Sequence, residues 1–223
     1  MEENIENKYV AYCDILGFSN SVINDFDKVI TIYKDFRTEI DKYDFLELKI
    51  SIYSDSILII ANDIIEITKA VQILLWTTLR YNWIIRGGIA YGKHWKESDE
   101  NNLFIVSEAL VKAVNLEKII NHPIVVISDE IDLGMEYWIL EFYHTVFDLP
   151  IINYDNHNIV NPFNNYWFKS AEITINNLKD KYIDHTHKYE YLLGIIKAIK
   201  ANKEFIPRIV IDYLLEQKLI EKK

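Results

Sequence analysis

Apolar and polar positions alternate along this chain in a way that predicts its elements in turn. Tyr9 to Cys13 is a short apolar run without helical period, which predicts a buried strand. From Ser19 to about Lys42 the apolar positions are Val22, Ile23, Phe26, Val29, Ile30, Tyr33, Phe36 and Ile40, the spacing of an amphipathic helix. Leu46–Tyr53 and Ile57–Ala61 predict two strands joined by "SDS", a hairpin with Asp55 at its tip. A second helix is expected from Thr68 to about Asn82, with Val71, Leu74, Leu75, Thr78 and Leu79 on one face. "WIIRGGIAY", Trp83 to Tyr91, reads as a strand whose glycine pair admits a close neighbour to the backbone. After the polar stretch "GKHWKESDENN", expected to be a solvated loop placed to act as a lid, come a helix over Val106–Ile120 and a strand over Pro123–Ser128.

This order is β-α-β-β-α-β with a further α-β, the split β-α-β, ferredoxin-like arrangement of a mixed α/β (α+β) fold. Beyond Asp129 the pattern is less regular. "MEYWILEFYH" fits helix or strand, "FDLPIINYD" and "NIVNPF" read as extended pieces between turns, and Ala171–Asn202 is mainly helical. Pro207 breaks that helix, and a short one follows toward Lys218. The expected organisation is a core over residues 1–128 and a mainly helical extension over 129–223, packed on the core or at a dimer interface as part of one structural unit.

Composition narrows the function. Of 223 residues, 50% are hydrophobic and 13% aromatic, enough for a large core and too many for disorder. A net charge of −10 argues against a general nucleic-acid binder, which would show a basic field, but does not exclude one nucleotide held through a cation. Cys13 is the single cysteine, so no disulfide framework or thiolate cluster is expected, and it reads as a small buried hydrophobe. "MEENIENK" is not a signal peptide and no apolar run has the length of a membrane span, so a cytoplasmic protein is the expectation.

Two aspartates stand out against this background. Asp14 ends the first apolar strand and Asp55 sits at the hairpin tip, places that the split β-α-β order brings to one edge of the sheet. Converging carboxylates repel unless a cation lies between them, and Mg²⁺ suits one or two carboxylates completed by water and phosphate oxygens. "ILGFS" adds backbone N–H groups of Gly17, Phe18 and Ser19 at a helix start, a setting for a polyphosphate. Ser51 and Tyr53 alternate onto one face of the second strand, with Ile50 and Ile52 on the other.

"YCDILGFS", "YSDSILI", "IIRGGIAYGK" and "SEALVKAVNLEKI" together resemble the class III nucleotide cyclase catalytic domain, in order and spacing, over roughly Tyr9–Ser128. The "DILGF … SDS … RGG" pattern is most similar to compact bacterial members, a group that includes or lies near the Pycsar-type pyrimidine cyclases of anti-phage signalling. The resemblance implies two Mg²⁺ or Mn²⁺ ions on Asp14 and Asp55 and on the backbone carbonyl of Ile15. It also implies a head-to-tail homodimer with composite sites, and, within such signalling, a downstream effector that senses the cyclic nucleotide.

The departures are specific. The family's helix asparagine and arginine fall on Val111 and Asn115, so Asn115 is the polar group left there, and Arg86 and Lys93 are the nearest candidates for a substituting cation. The purine-reading lysine falls on Ser51, which disfavours a purine and leaves Tyr53 to flank a base. The expected activity is cyclisation of a nucleoside triphosphate, UTP or CTP over ATP or GTP. Two alternatives stay open: a catalytically silent nucleotide-binding signalling domain, and an enzyme joining two nucleotides on the same palm. "YSDS" in place of a Gly-Gly-Asp-Glu-type hairpin counts against the second. His185 and His187 are two apart in a helical stretch and do not face together, His94 reads as a solvated loop residue, and the five tryptophans are scattered as core or interface residues.

Overall fold

The opening apolar run is β1 (Glu6–Leu16), and everything at the candidate site hangs on it. The structure is a computed structural model that describes residues 5–42, 48–98, 103–120 and 122–221. Helices α1 (Phe18–Asn24) and α2 (Phe26–Ile40) follow, then β2 (Lys49–Tyr53), β3 (Ser56–Ala61), α3 (Ile64–Arg80), β4 (Ile84–Ser98), β5 (Leu103–Ser107), α4 (Glu108–Ile120) and β6 (Val125–Ile127). Beyond these lie α5 (Gly134–Glu141), β7 (Ile151–Tyr154), β8 (His157–Val160), α6 (Phe168–Lys181), α7 (Thr186–Lys200) and α8 (Arg208–Glu216).

One sheet runs in the order β2-β3-β1-β4-β6-β8-β7, with β5 paired to β4. Its first four strands are antiparallel neighbours in the order of the split β-α-β arrangement, so the expected α/β ferredoxin-like palm is the fold observed. β6 joins β4 in parallel, and β8 and β7 extend the same sheet from the C-terminal part of the chain.

Strand alternation divides the core. Ala11, Cys13, Ile15, Ile57 and Ile59 pack with Val29, Ile32 and Phe36 of α2 and with α3. Val10, Leu58 and Ile60 face the other way, onto Ala109 of α4. Helix α4 approaches the sheet closely because Gly88 has no side chain: a Cβ there would lie 2.5 Å from the Ala113 carbonyl oxygen. Gly87 points oppositely, and its Cβ would meet the Tyr12 carbonyl oxygen at 2.4 Å. The glycine pair serves the core on both sides of one strand.

Several boundaries differ from the pattern-based expectation. The first long helix is two, because Asp25 leaves helical geometry (φ −155°, ψ 71°) and its side chain accepts from the Lys28 N–H as an N-cap. The second begins at Ile64, capped by Asp63, whose Oδ1 accepts from the N–H groups of Ile65 and Glu66. The expected lid is largely strand: β4 continues through Ser98 and pairs with β5, while residues 99–102 of that stretch, and residues 46 and 47 of the expected second strand, lie outside the described residues. His94, expected in a solvated loop, is accordingly buried in β4. "MEYWILEFYH" resolves as helix, since α5 covers most of it. The β7–β8 turn places Asp155 (φ 54°) and Asn156 (φ 63°) in left-handed backbone, which short Asx side chains tolerate.

Candidate active site

The site is assembled by strand register. Tyr53 pairs with Ser56, Ser56 with Asp14, and Asp14 with Arg86, so these four residues form one row across β2, β3, β1 and β4. Directly opposite residues share a face, and this is the face that α4 covers further along. Strands lie about 4.8 Å apart, which puts Tyr53 about 10 Å from Asp14 and Arg86 beside it. The next row is Ser51, Leu58, Tyr12 and Gly88, and there the Tyr12 hydroxyl and Ser56 Oγ lie 3.0 Å apart. Ser51 and Tyr53 thus share the face of Asp14, while Ile50 and Ile52 pack against the larger core. Tyr53 is 53% exposed and free to meet a ligand.

Asp55 is brought to the same edge by the hairpin turn. The Ile15 N–H donates to the Asp55 carbonyl oxygen at 3.1 Å, tying the end of β1 to the tip of the hairpin. Ser54 takes φ 57°, and the Tyr33 hydroxyl of α2 donates to its carbonyl oxygen at 2.5 Å. Burial, reinforced by the Asp55 charge, pushes the Tyr33 phenol well above its ordinary pKa, so it remains a donor. Gly17 follows in left-handed backbone (φ 79°), a conformation that disfavours a Cβ, and turns the chain into α1. Phe18 is buried, its ring 5.7 Å from Trp83 and 6.2 Å from Tyr33, so its side chain anchors the loop while Gly17 and Ser19 stay exposed.

Arg86 is held between two acids. Its Nε and Nη2 donate to Asp14 Oδ2, each at 3.2 Å, and Nε lies 2.5 Å from Glu117 Oε1 of α4. Because the single Nε–H is aimed at Asp14, the close approach of Nε to Glu117 Oε1 is an ion-pair contact. Glu117 is 5% exposed; burial pushes its carboxyl pKa up, and Arg86 opposes that rise. Sequence reasoning missed Glu117, although a signal existed: Ala109, Ala113 and Glu117 form one i, i+4 ridge, and an acid at the end of an alanine ridge pressed on a sheet needs a buried partner.

The remaining candidates lie elsewhere within one chain. Lys93 pairs with Asn7, seven residues along β4 from Arg86, or about 23 Å at strand rise. A single chain therefore does not bring Lys93 to Asp14. Val111 and Asn115 are exposed on the outward side of α4, away from Arg86. His185 lies in a short 3-10 turn and His187 in α7. Among the described residues no group of three or more His, Cys, Asp or Glu side chains could cage a metal ion. The oxygen donors of Asp14, Asp55 and the Ile15 carbonyl suit instead a hard ion that keeps some waters and takes phosphate oxygens.

No protein-family profile and no curated protein matches this chain. Solved structures do. It is similar to the adenylyl cyclase CyaB from P. aeruginosa (14% identity, 72% of this chain and 94% of that one, TM-score 0.44). It is similar also to the dimeric guanylyl cyclase domain of the RhoGC fusion protein from the aquatic fungus Blastocladiella emersonii (13% identity, 71% and 96%, TM-score 0.48). A bacterial light-regulated adenylyl cyclase is a third (11% identity, 80% and 59%, TM-score 0.49). At such scores the fold assignment rests on the strand order and register above. No helix among the described residues is long and apolar enough to cross a membrane.

Proposed function

We propose that this protein is a nucleotidyl cyclase, forming a 3′,5′-cyclic nucleotide and pyrophosphate from a nucleoside triphosphate. One observation carries the reading: the register row Tyr53–Ser56–Asp14–Arg86, with Asp55 tied to the same edge by the Ile15–Asp55 hydrogen bond. In the reaction the ribose O3′ bonds to the α-phosphorus, the bond from that phosphorus to the β-bridging oxygen breaks, and the O3′ proton is lost. Asp14, Asp55 and the Ile15 carbonyl would hold Mg²⁺ or Mn²⁺. Bound there, such ions supply charge neutralisation of the polyphosphate and a lowered pKa for the attacking hydroxyl. Arg86 orients Asp14 rather than meeting substrate, since its guanidinium already lies between two carboxylates. The N–H groups of Gly17, Phe18 and Ser19 border the carboxylate edge and supply donors for phosphate oxygens.

Ser51 and Tyr53 are proposed to line the base pocket; Ser51 stands where a purine-reading lysine would fall, and Lys49, on the same face of β2, lies two residues further from the hairpin tip, so the proposed substrate is UTP or CTP. A pocket that hydrogen-bonds one base edge rejects others because its polar groups are left unpaired. Incubating the protein with equimolar UTP, CTP, ATP and GTP and Mn²⁺ should give mainly a cyclic pyrimidine nucleotide. Tyr53→Ala should flatten that preference while metal affinity holds. Dominant cyclic AMP or cyclic GMP would remove the pyrimidine assignment and keep the cyclase. A product joining two nucleotides would identify the palm-type alternative. Binding with no product at all would favour the silent nucleotide sensor, the reading to which the Arg86–Glu117 engagement and the outward Val111 and Asn115 lend weight. A role in anti-phage signalling with a cyclic-nucleotide-sensing effector belongs to the same proposal.

The active form is proposed to be a homodimer. Exposed apolar residues Val111 and Ile119 lie with Asn115 on the outward stripe of α4, and Phe104 and Val106 of β5 and Tyr91 of β4 are exposed as well. Lys93 and Asn115 are then offered across the dimer to the partner's site. Light scattering at micromolar concentration should report twice the monomer mass; a fully active strict monomer would refute the composite site.

A further inference from the structure

The C-terminal helix α7 reaches the carboxylate edge from outside the palm. β6 begins beside Arg86, since the Gly87 N–H donates to the Ile124 carbonyl oxygen at 3.0 Å and the Ile124 N–H to that of His122 at 2.8 Å. The His122 ring is stacked on Tyr191 of α7, centroids 4.1 Å apart and planes 13° from parallel. Gly194, one turn further along α7, lets the helix sit against the Tyr154 hydroxyl, 3.0 Å from where a Cβ would stand. These contacts fix α7 next to the start of β6 and to the end of α4 that carries Glu117.

Lys188 lies three residues before Tyr191, hence on the same side of α7 and about 4.5 Å along its axis toward the N-terminus. It is thus on the side of α7 that the Tyr191–His122 stack turns toward the start of β6, next to Arg86. Burial and the Arg86 charge push its pKa down, while Asp14 and Glu117 pull it back up. The cluster of Asp14, Glu117, Arg86 and Lys188 balances two negative against two positive charges. Of the two cations, Arg86 is pinned between Asp14 and Glu117. Lys188, partly buried on a long flexible stem, is the one placed to follow an incoming anion.

We propose that Lys188 is the cation that faces the triphosphate of the substrate beside Asp14, so that the C-terminal extension completes the site in cis. The assignment rests on the cyclase reading for its substrate, yet it makes a claim about anion binding that can be tested separately. It supplies the positive charge absent from the outward face of α4, where Val111 and Asn115 stand. The ammonium offsets charge on the non-bridging phosphate oxygens and adds a charge-assisted hydrogen bond.

The test is calorimetric titration of the intact protein with sodium tripolyphosphate in Mn²⁺ buffer, alongside turnover of the four triphosphates. Lys188→Met, which keeps the packing of the stem, should bind tripolyphosphate about tenfold more weakly than wild type. Lys188→Arg should recover most of that affinity, and Lys197→Met, an exposed charge change on the same helix, should not differ from wild type. Binding by Lys188→Met within about twofold of wild type, with an unchanged melting temperature, would overturn the proposal. An Arg variant as weak as the Met variant would overturn it too, because packing rather than charge would then be at issue. Failure of wild type to bind tripolyphosphate would do the same. Tight, Lys188-dependent binding without any cyclic product would instead sink the cyclase reading and leave Lys188 as an anion-binding group.

Discussion

Replacing Asp14 or Asp55 by Asn should lower cyclic-nucleotide formation about 10³-fold or more, because the lost carboxylate removes several kcal/mol of transition-state charge stabilisation. The fold should survive both changes, but for different reasons. Asp14 faces Arg86 in an ion pair whose side chains are 20% and 25% exposed, so Asp14→Asn should cost only about 1 kcal/mol of stability. Arg86 keeps Glu117 as a partner in that variant. Asp55 holds the hairpin through its backbone carbonyl, which the substitution leaves in place, so Asp55→Asn should melt close to wild type. Product assays with each labelled triphosphate, paired with thermal melts, check both halves. Folded variants with normal turnover would remove the metal-site reading; unfolded ones would make the two aspartates structural.

How much of this was legible beforehand follows from the range over which each signal acts. The palm was readable because alternation and helical spacing are local, and the topology rules then put the end of β1 beside the β2–β3 hairpin. The common face of Ser51, Tyr53 and Asp14 follows from alternation once that register exists. The run of β4 past Tyr91 was hidden by the polar residues "KHWKES", whose strand depends on pairing with β5. Lys93 looked close to Arg86 in sequence and lies far away, because seven residues in a strand span more than twice the length they span in a helix. Lys188 could not be found from the chain at all. Its position depends on the Tyr191–His122 stack, a contact between residues 69 apart.

The largest effect expected on stability comes from Arg86, through the buried carboxylate of Glu117. Arg86→Met leaves Glu117 buried on α4 without the guanidinium that contacts it, and removing one partner of such a pair costs about 3 kcal/mol or more. Burial already raises the Glu117 pKa above its unfolded value, and Arg86 is the main influence lowering it, so the variant should raise it further. A carboxyl whose folded pKa is raised adds stability that is fully present below its unfolded pKa and lost as pH rises through the folded one. The gap between wild type and Arg86→Met in urea melts should therefore narrow as the pH is lowered and Glu117 in the variant takes up a proton, and widen toward pH 8. Adding Glu117→Gln to Arg86→Met removes the stranded charge and should recover more than half of the loss at pH 8, with little further dependence on pH. A loss independent of pH, or no recovery in the double variant, would mean that Arg86 stabilises α4 through packing of its stem and not by holding Glu117 ionised against the sheet.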